Sequence, residues 1–195
     1  LKEKVKDRLF FFFYDIIKIP ASRELVHGIQ INTDKKIIED FQKSAGFDYT
    51  KDQKRSIREI FTDLSSGRVM DRLLSGDVGF GKTEVAMNAM LAVILDGYQA
   101  IFVCPTTLLA TQHYHSMQKR FSEFGISIAK LDGKTPAKEK VHIKKGLASG
   151  EIKLVIGTHS LLEIQTNNLA LVIIDEEHKF GVKQKEKLKH LREDV

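Results

Sequence analysis

One octapeptide, Gly76-Asp77-Val78-Gly79-Phe80-Gly81-Lys82-Thr83, constrains the fold more than any other stretch of the chain. It fits G-x-x-x-x-G-K-[ST] at every fixed position. The glycines let the backbone turn tightly and aim N–H groups at phosphate oxygens, and a following helix adds its positive dipole end. In such a loop Lys82 reaches the β- and γ-phosphates and the Thr83 hydroxyl goes to Mg²⁺. The flanks have the required character: apolar Leu73 and Leu74 before the loop, and a helix-forming stretch over residues 84–95 after it. A glycine-rich turn with no ligand is the plainer alternative, and the strand–loop–helix context weighs against it.

From residue 50 onward the pattern extends this unit. Thr50 is placed to cap a helix running to about Ser65. Apolar runs at residues 72–75, 100–104, 126–131, 153–156 and 169–174 then alternate with helical stretches near 83–95, 107–124 and 136–149. Strand alternating with helix implies βαβ units, hence an α/β fold with a parallel sheet covered by helices on both faces.

The first 49 residues read differently. Val5, Leu9, Phe12, Phe13, Ile16 and Ile17 fall on one broad face at helical spacing, which predicts a helix over residues 1–19, ended by Pro20. Ser22 begins a short stretch reaching Gly28, and Asp34 is placed to cap a helix to Ala45, stopped by Gly46. Residues 1–49 are therefore expected to be a helical linker and residues 50–195 the α/β lobe. Phe10 to Phe13 and Tyr14 leave no polar side, so this run needs a partner surface, either the following domain or something outside the chain.

A phosphate loop needs a second element that fixes the metal and the attacking water. The apolar run Leu171-Val172-Ile173-Ile174 delivers Asp175-Glu176-Glu177-His178 at its end. Ligands bind beyond the carboxyl ends of parallel strands, which brings these acids beside the loop. Asp175 then holds Mg²⁺, and Glu176 orients and deprotonates the water that attacks the γ-phosphate. His178, just past the acids, is a candidate link between the nucleotide and a second site.

Composition adds bounds rather than chemistry. A 195-residue chain that is 42% hydrophobic carries a core without disulfides. The single cysteine, Cys104, excludes an internal one, suits a reducing compartment and reads as a small buried strand residue. The net charge of +5 permits a nucleic-acid partner without establishing one. The apolar stretch at residues 9–19 contains Asp15 and Lys18 and is too short to span a bilayer, so a soluble, cytoplasmic protein is expected.

With the loop and the acids in hand, the chain resembles superfamily-two helicases and translocases. Four blocks narrow the match: Gly76 to Ala86, Pro105-Thr106-Thr107-Leu108-Leu109-Ala110, Gly157-Thr158-His159, and Asp175 to Val182. Together they look like the bacterial transcription-repair coupling factors. The RecG fork-reversal helicases have similar blocks, but Phe80 and Glu177 favour the former. The resemblance implies a first RecA-like lobe using ATP and Mg²⁺ to move along double-stranded DNA. It also implies RNA polymerase and nucleotide-excision repair proteins as partners, reached through regions outside these residues.

Carried over position by position, the resemblance implies that Gln53 reads the adenine edge and that Phe47 stacks on the base. It makes Thr106, Thr107, Gln112, Thr158 and His159 candidates for DNA backbone contacts, with helix capping an even alternative for Thr107. Lys179 stands where the family often has arginine. The resemblance further implies that this lobe is truncated before a Thr-Ala-Thr-Pro-like block, and that a second lobe supplies arginines. The isolated fragment is then expected to be nearly inactive. A RecG-like lobe and a nucleotide-binding regulatory domain without motor activity remain open; a phosphate-loop kinase lacks an acceptor site.

Overall fold

The computed structural model describes residues 6–13 as backbone, together with residues 29–68, 70–77 and 79–182. The expected helix end at Pro20, the stretch from Ser22 to Gly28, and Val78 of the loop lie outside the described residues. In chain order the elements are β1 (Lys6–Phe13), α1 (Lys36–Lys43), α2 (Lys51–Ser65), β2 (Asp71–Asp77), α3 (Lys82–Leu95) and β3 (Gln99–Val103). There follow α4 (Thr107–Ser122), β4 (Ile128–Leu131), α5 (Ala137–Ser149), β5 (Leu154–Gly157) and β6 (Leu169–Asp175). Single 3₁₀ turns occupy His159–Glu163 and Glu177–Lys179.

The strands form one sheet in the order β2-β1-β6-β3-β5-β4. β6, β3, β5 and β4 pair in parallel, as the alternating pattern requires. β1 corrects the expectation for the amino-terminal segment: residues 6–13 form a strand, not part of a helix. It pairs antiparallel with β2 on one side and β6 on the other, with Leu9 opposite both Leu74 and Asp175. A short continuous apolar run is the signature of a strand buried on both faces, and its periodicity does not separate it from a buried helix. Its backbone pairs into the sheet of the following lobe. Two antiparallel steps leave β2 pointing the same way as β6.

Local chemistry sets the helix ends. Thr50 Oγ1 accepts from Gln53 N at 3.2 Å while Gln53 Oε1 accepts from Thr50 N at 2.9 Å, a reciprocal capping box that starts α2. α1 begins at Lys36 with Lys35 at its cap position, so Asp34 does not cap it. Instead, Lys35 Nζ and the Asn32 N–H both reach the Asp96 carboxylate, at 2.6 and 2.9 Å, and fasten α1's start to the end of α3. Thr106, rather than Thr107, caps α4, accepting from Leu109 N at 3.2 Å.

Alternate residues of the central strands feed two cores. Ala100, Phe102, Leu154, Ile156 and Ile173 pack under α1 to α4, while Ile101, Val103, Val155, Val172 and Ile174 pack against Ile143 and Leu147 of α5. The central strands are thus covered on both faces, while β2 leaves alternate residues, Leu73 among them, exposed. α3 is buried nearly all round, as a helix between a sheet and two further helices must be. Among the described residues, no helix is long and apolar enough to cross a membrane.

Gln99 is a polar exception in this interior. Its amide is fully buried, donating to Leu147 O and Ile152 O at 2.9 and 2.7 Å and accepting from Asn167 N and Asn168 N at 2.9 Å. One side chain therefore satisfies four backbone groups that join α5, β5 and β6. Each buried group left unpaired costs about 1–3 kcal/mol. Leu147 O and Asn167 N also bond to each other at 3.1 Å, so Gln99→Leu, similar in size, chiefly deprives Ile152 O and Asn168 N and is expected to lower the unfolding free energy by roughly 2–3 kcal/mol. Urea denaturation measures it, and a loss below about 1 kcal/mol would show that the amide is replaceable.

Candidate nucleotide site

Strand direction places the loop. β2 ends at Asp77, the chain turns with Phe80 N donating to Asp77 O at 3.2 Å, and α3 begins at Lys82. Gly79 and Gly81 have φ of +81° and +75°, conformations that L side chains rarely adopt, so glycine is required at both. Gly81 is also crowded: an added Cβ would strike the Gln53 side-chain nitrogen. Lys82 is buried and curls back over the loop, its Nζ donating to Gly76 O at 3.1 Å and Asp77 O at 2.8 Å. Phe80 folds over Gly76, where a Cβ would come within 3.3 Å of its ring.

Facing the loop is the end of β6. Gly79, Gly81, Lys82, Thr83, Leu109, Gln112, His113, Asp175 and Glu176 line one cleft of about 360 Å³, within the range of ordinary ligand pockets. The loop and the acids predicted from sequence thus share a single site. Glu176 holds φ at +51°, the only described non-glycine residue with positive φ. A strained backbone at the end of an apolar strand is typical of a functional position. Lys179 Nζ lies 2.6 Å from Glu176 Oε2 and gives this acid a charge partner. The set of a hydroxyl, two carboxylates and a lysine suits a hard cation with its phosphates. On that chemistry the residues present fit Mg²⁺ and ATP.

Other candidates fall in different places. Gln53 is buried with both ends of its amide engaged. Its oxygen closes the α2 cap, and its Nε2 donates to Phe80 O at 2.9 Å, tethering the phosphate loop. Phe47 is half-exposed, its ring 5.6 Å from that of Tyr49, in a separate hollow that shares no lining residue with the cleft. Val103 pairs with Gly157, so the blocks carrying Thr106–Thr107 and Thr158–His159 emerge side by side at the carboxyl edge of the sheet. Thr158 is buried and His159 exposed. Gln112, by contrast, lines the nucleotide cleft. His178 is exposed on the turn after the acids. Cys104 is buried, and burial together with the Asp175 and Glu176 carboxylates pushes its thiol well above the usual range, leaving it inert.

A buried polar cluster beneath the loop has no counterpart in the sequence reading. Glu84, one residue past Thr83, accepts from Tyr49 Oη at 2.5 Å and from Arg120 Nη2 at 2.7 Å through one carboxylate oxygen. Asn88 donates to Tyr49 Oη and to Glu84 O, and Gln42 donates to Asn88. Arg120 also donates to Phe41 O and lies 4.1 Å above the Phe41 ring. Burial, then the hydrogen bond to Glu84, push the Tyr49 hydroxyl well above its ordinary range, so it remains a donor. The cluster bolts α1, α2's lead-in and α4 onto the first turn of α3. No spacing motif marks it, because its members come from four segments far apart in sequence.

The DEAD/DEAH box helicase family matches residues 50–195. The chain is 49% identical over 195 residues to the transcription-repair-coupling factor of Helicobacter pylori strain J99, covering all of this chain and 20% of that protein. It is 45% identical over 193 residues to the ATP-dependent DNA helicase RecG of Thermotoga maritima, covering 95% of this chain and 25% of that one. A solved structure of RecG bound to a three-way DNA junction superposes with a TM-score of 0.66 at 40% identity, covering 73% of this chain and 20% of its own. The chain therefore spans about a fifth to a quarter of the length of these relatives.

The buried cluster makes a stability prediction. Removing one partner of a buried ion pair typically costs about 3–5 kcal/mol, whereas removing both costs far less. Arg120→Met should therefore destabilise strongly, and Glu84→Gln in the same chain should restore part of the loss. A double-mutant cycle by denaturant unfolding checks this; strictly additive losses would mean the pair is not coupled.

Proposed function

The chain belongs to the DEAD/DEAH box helicase family, and on that premise we propose that it is the first ATP-hydrolysing lobe of a double-stranded DNA translocase. In this reading the parent protein couples transcription to repair, displacing stalled RNA polymerase and engaging nucleotide-excision repair proteins through segments outside these residues. The observation that carries the proposal is the single cleft joining Lys82 and Thr83 to Asp175 and Glu176. Identity of 49% across the whole chain to a transcription-repair-coupling factor supports the finer assignment. The RecG structure on a DNA junction favours a second reading, a lobe acting on branched DNA.

Each residue then has a task. The loop's N–H groups cradle the phosphates, and Lys82 exchanges its two carbonyl partners for phosphate oxygens. Thr83 and Asp175 would hold Mg²⁺, which when bound neutralises charge on the phosphates. The Glu176 carboxylate takes a proton from the attacking water. Gln53 holds the loop in place through Phe80 O, and its amide together with Phe47 is where adenine would be read. Thr106, Thr107 and His159 face the DNA backbone from the shared edge, where the Thr158 side chain is buried; Gln112 lines the cleft, and His178 is exposed on the turn after the acids.

In the full-length protein, Lys82→Ala is expected to cut ATP turnover by about 10²-fold or more without unfolding the lobe. Glu176→Gln should still bind Mg·ATP yet hydrolyse it very slowly, because the amide keeps its size but cannot accept the proton. Steady-state phosphate release measures both, and wild-type turnover in either variant would remove the cleft from the reaction. The 195 residues alone should turn over almost no ATP even with duplex DNA. An arginine from a second lobe is worth roughly 10³–10⁵ in rate.

Duplex binding by the full-length protein should be indifferent to sequence and weaken steeply with salt, since phosphate contacts release counterions. Titrations from 50 to 200 mM salt test this, and a strong preference for one base sequence would contradict it.

A further inference from the structure

α4 sends one imidazole into the nucleotide cleft. His113 Nε2 lies 2.9 Å from Asp175 Oδ2, and both side chains are largely buried, 17% and 11% exposed. A carboxylate only accepts, so Nε2 carries the proton and donates. The ring is held from another direction by Phe102, with centroids 5.0 Å apart and planes tilted by 54°. Phe102 itself is fully buried in the central strand β3. Cys104 Sγ is close as well, the ligating atoms of Cys104, His113 and Asp175 all lying within 4.8 Å of one another.

We propose that His113 is a positioning residue for Asp175, fixing the carboxylate that holds Mg²⁺ and tying α4 to the metal site. This rests on the assignment of Asp175 given under the proposed function. A carboxylate at a strand end rotates about two torsions. A hydrogen bond from a ring that is itself locked by packing selects one orientation, committing Oδ2 to the imidazole and leaving the second oxygen for the cation. Hydrogen bonds to a metal-ligating group from outside the coordination sphere typically carry 10–100-fold in metal affinity. The locked ring also gives the contact direction. His113 lies roughly 10 Å along α4 from Thr106 and Thr107 at about 1.5 Å per residue. The helix that presents candidate DNA contacts at its start thus holds the metal carboxylate two turns later.

Two substitutions separate the donor from the packing. His113→Gln places an N–H near the position of Nε2 without the ring, while His113→Phe keeps a ring against Phe102 and has no donor. The measurement is Mn²⁺ binding in the presence of ADP, followed by electron paramagnetic resonance in the full-length protein, with metal-dependent ATP turnover as the second readout. His113→Phe should weaken Mn²⁺ binding about tenfold or more, and His113→Gln should stay within about threefold of wild type. Wild-type Mn²⁺ affinity in His113→Phe overturns the proposal, as does an equal loss in both variants, which would assign the effect to packing. Should His113→Phe fail to fold, His113→Met serves as the variant without a donor, and the same comparison decides. A wild-type protein that binds no Mn²⁺ with ADP defeats the Asp175 assignment itself, an outcome visible before any variant is compared.

Discussion

Central strands buried on both faces, as β3, β5 and β6 are, leave chemistry nowhere to go but the edge of the sheet. α1 to α4 cover one face and α5 with the 3₁₀ turns covers the other, so a polar group within a strand has to be fully paired, as Gln99 is. The groups that act on ligands collect instead where strands of one direction end. β2, β6, β3 and β5 all point the same way, and their ends carry Asp77, Asp175, Cys104 and Thr158 in turn. Phosphate loop, acids and both candidate DNA-facing blocks therefore share an edge because the strands share a direction. The antiparallel β1 does not disturb this, since it enters between β2 and β6 and restores their common sense.

The legible parts of this architecture are those written in local patterns. Capping at Thr50, the alternation of apolar runs with amphipathic stretches, the glycines of the loop and the acids after Ile174 each follow from neighbours in sequence. Their elements were foreseen to within a few residues. β1 was not, because a continuous run such as Leu9 to Phe13 has neither the period of a helix face nor that of a half-buried strand, and only its pairing partners decide. Asp34 failed as a cap for a related reason: Lys35 and the Asn32 N–H reach Asp96 at the end of α3, and this tertiary contact sets where α1 begins.

In the candidate site the sequence named the groups and missed their supports. The resemblance makes Gln53 a base reader, while the structure gives its amide a structural role, with one end in a helix cap and the other on the loop carbonyl of Phe80. Glu84, Asn88, Arg120 and Tyr49 carry no such signal in the sequence, although they brace the helix that begins at Lys82. Nothing in a linear pattern distinguishes Arg120 from the many other cations of the chain. What distinguishes it is burial beside Glu84 and Phe41, a property of the folded state alone.

α4 gathers these supports onto one face. His113 and Arg120 are seven residues apart, two helical turns, and with the buried Met117 between them they form a single stripe. One end of the stripe donates to Asp175 and the other to Glu84, so the helix grips both walls of the nucleotide cleft: the acid at the end of β6 and the first turn of α3. A rigid helix held at two points cannot shift along its axis without disturbing both contacts. Thr106 caps this helix at the carboxyl edge, so one continuous helix joins that edge to the carboxylate opposite the phosphate loop.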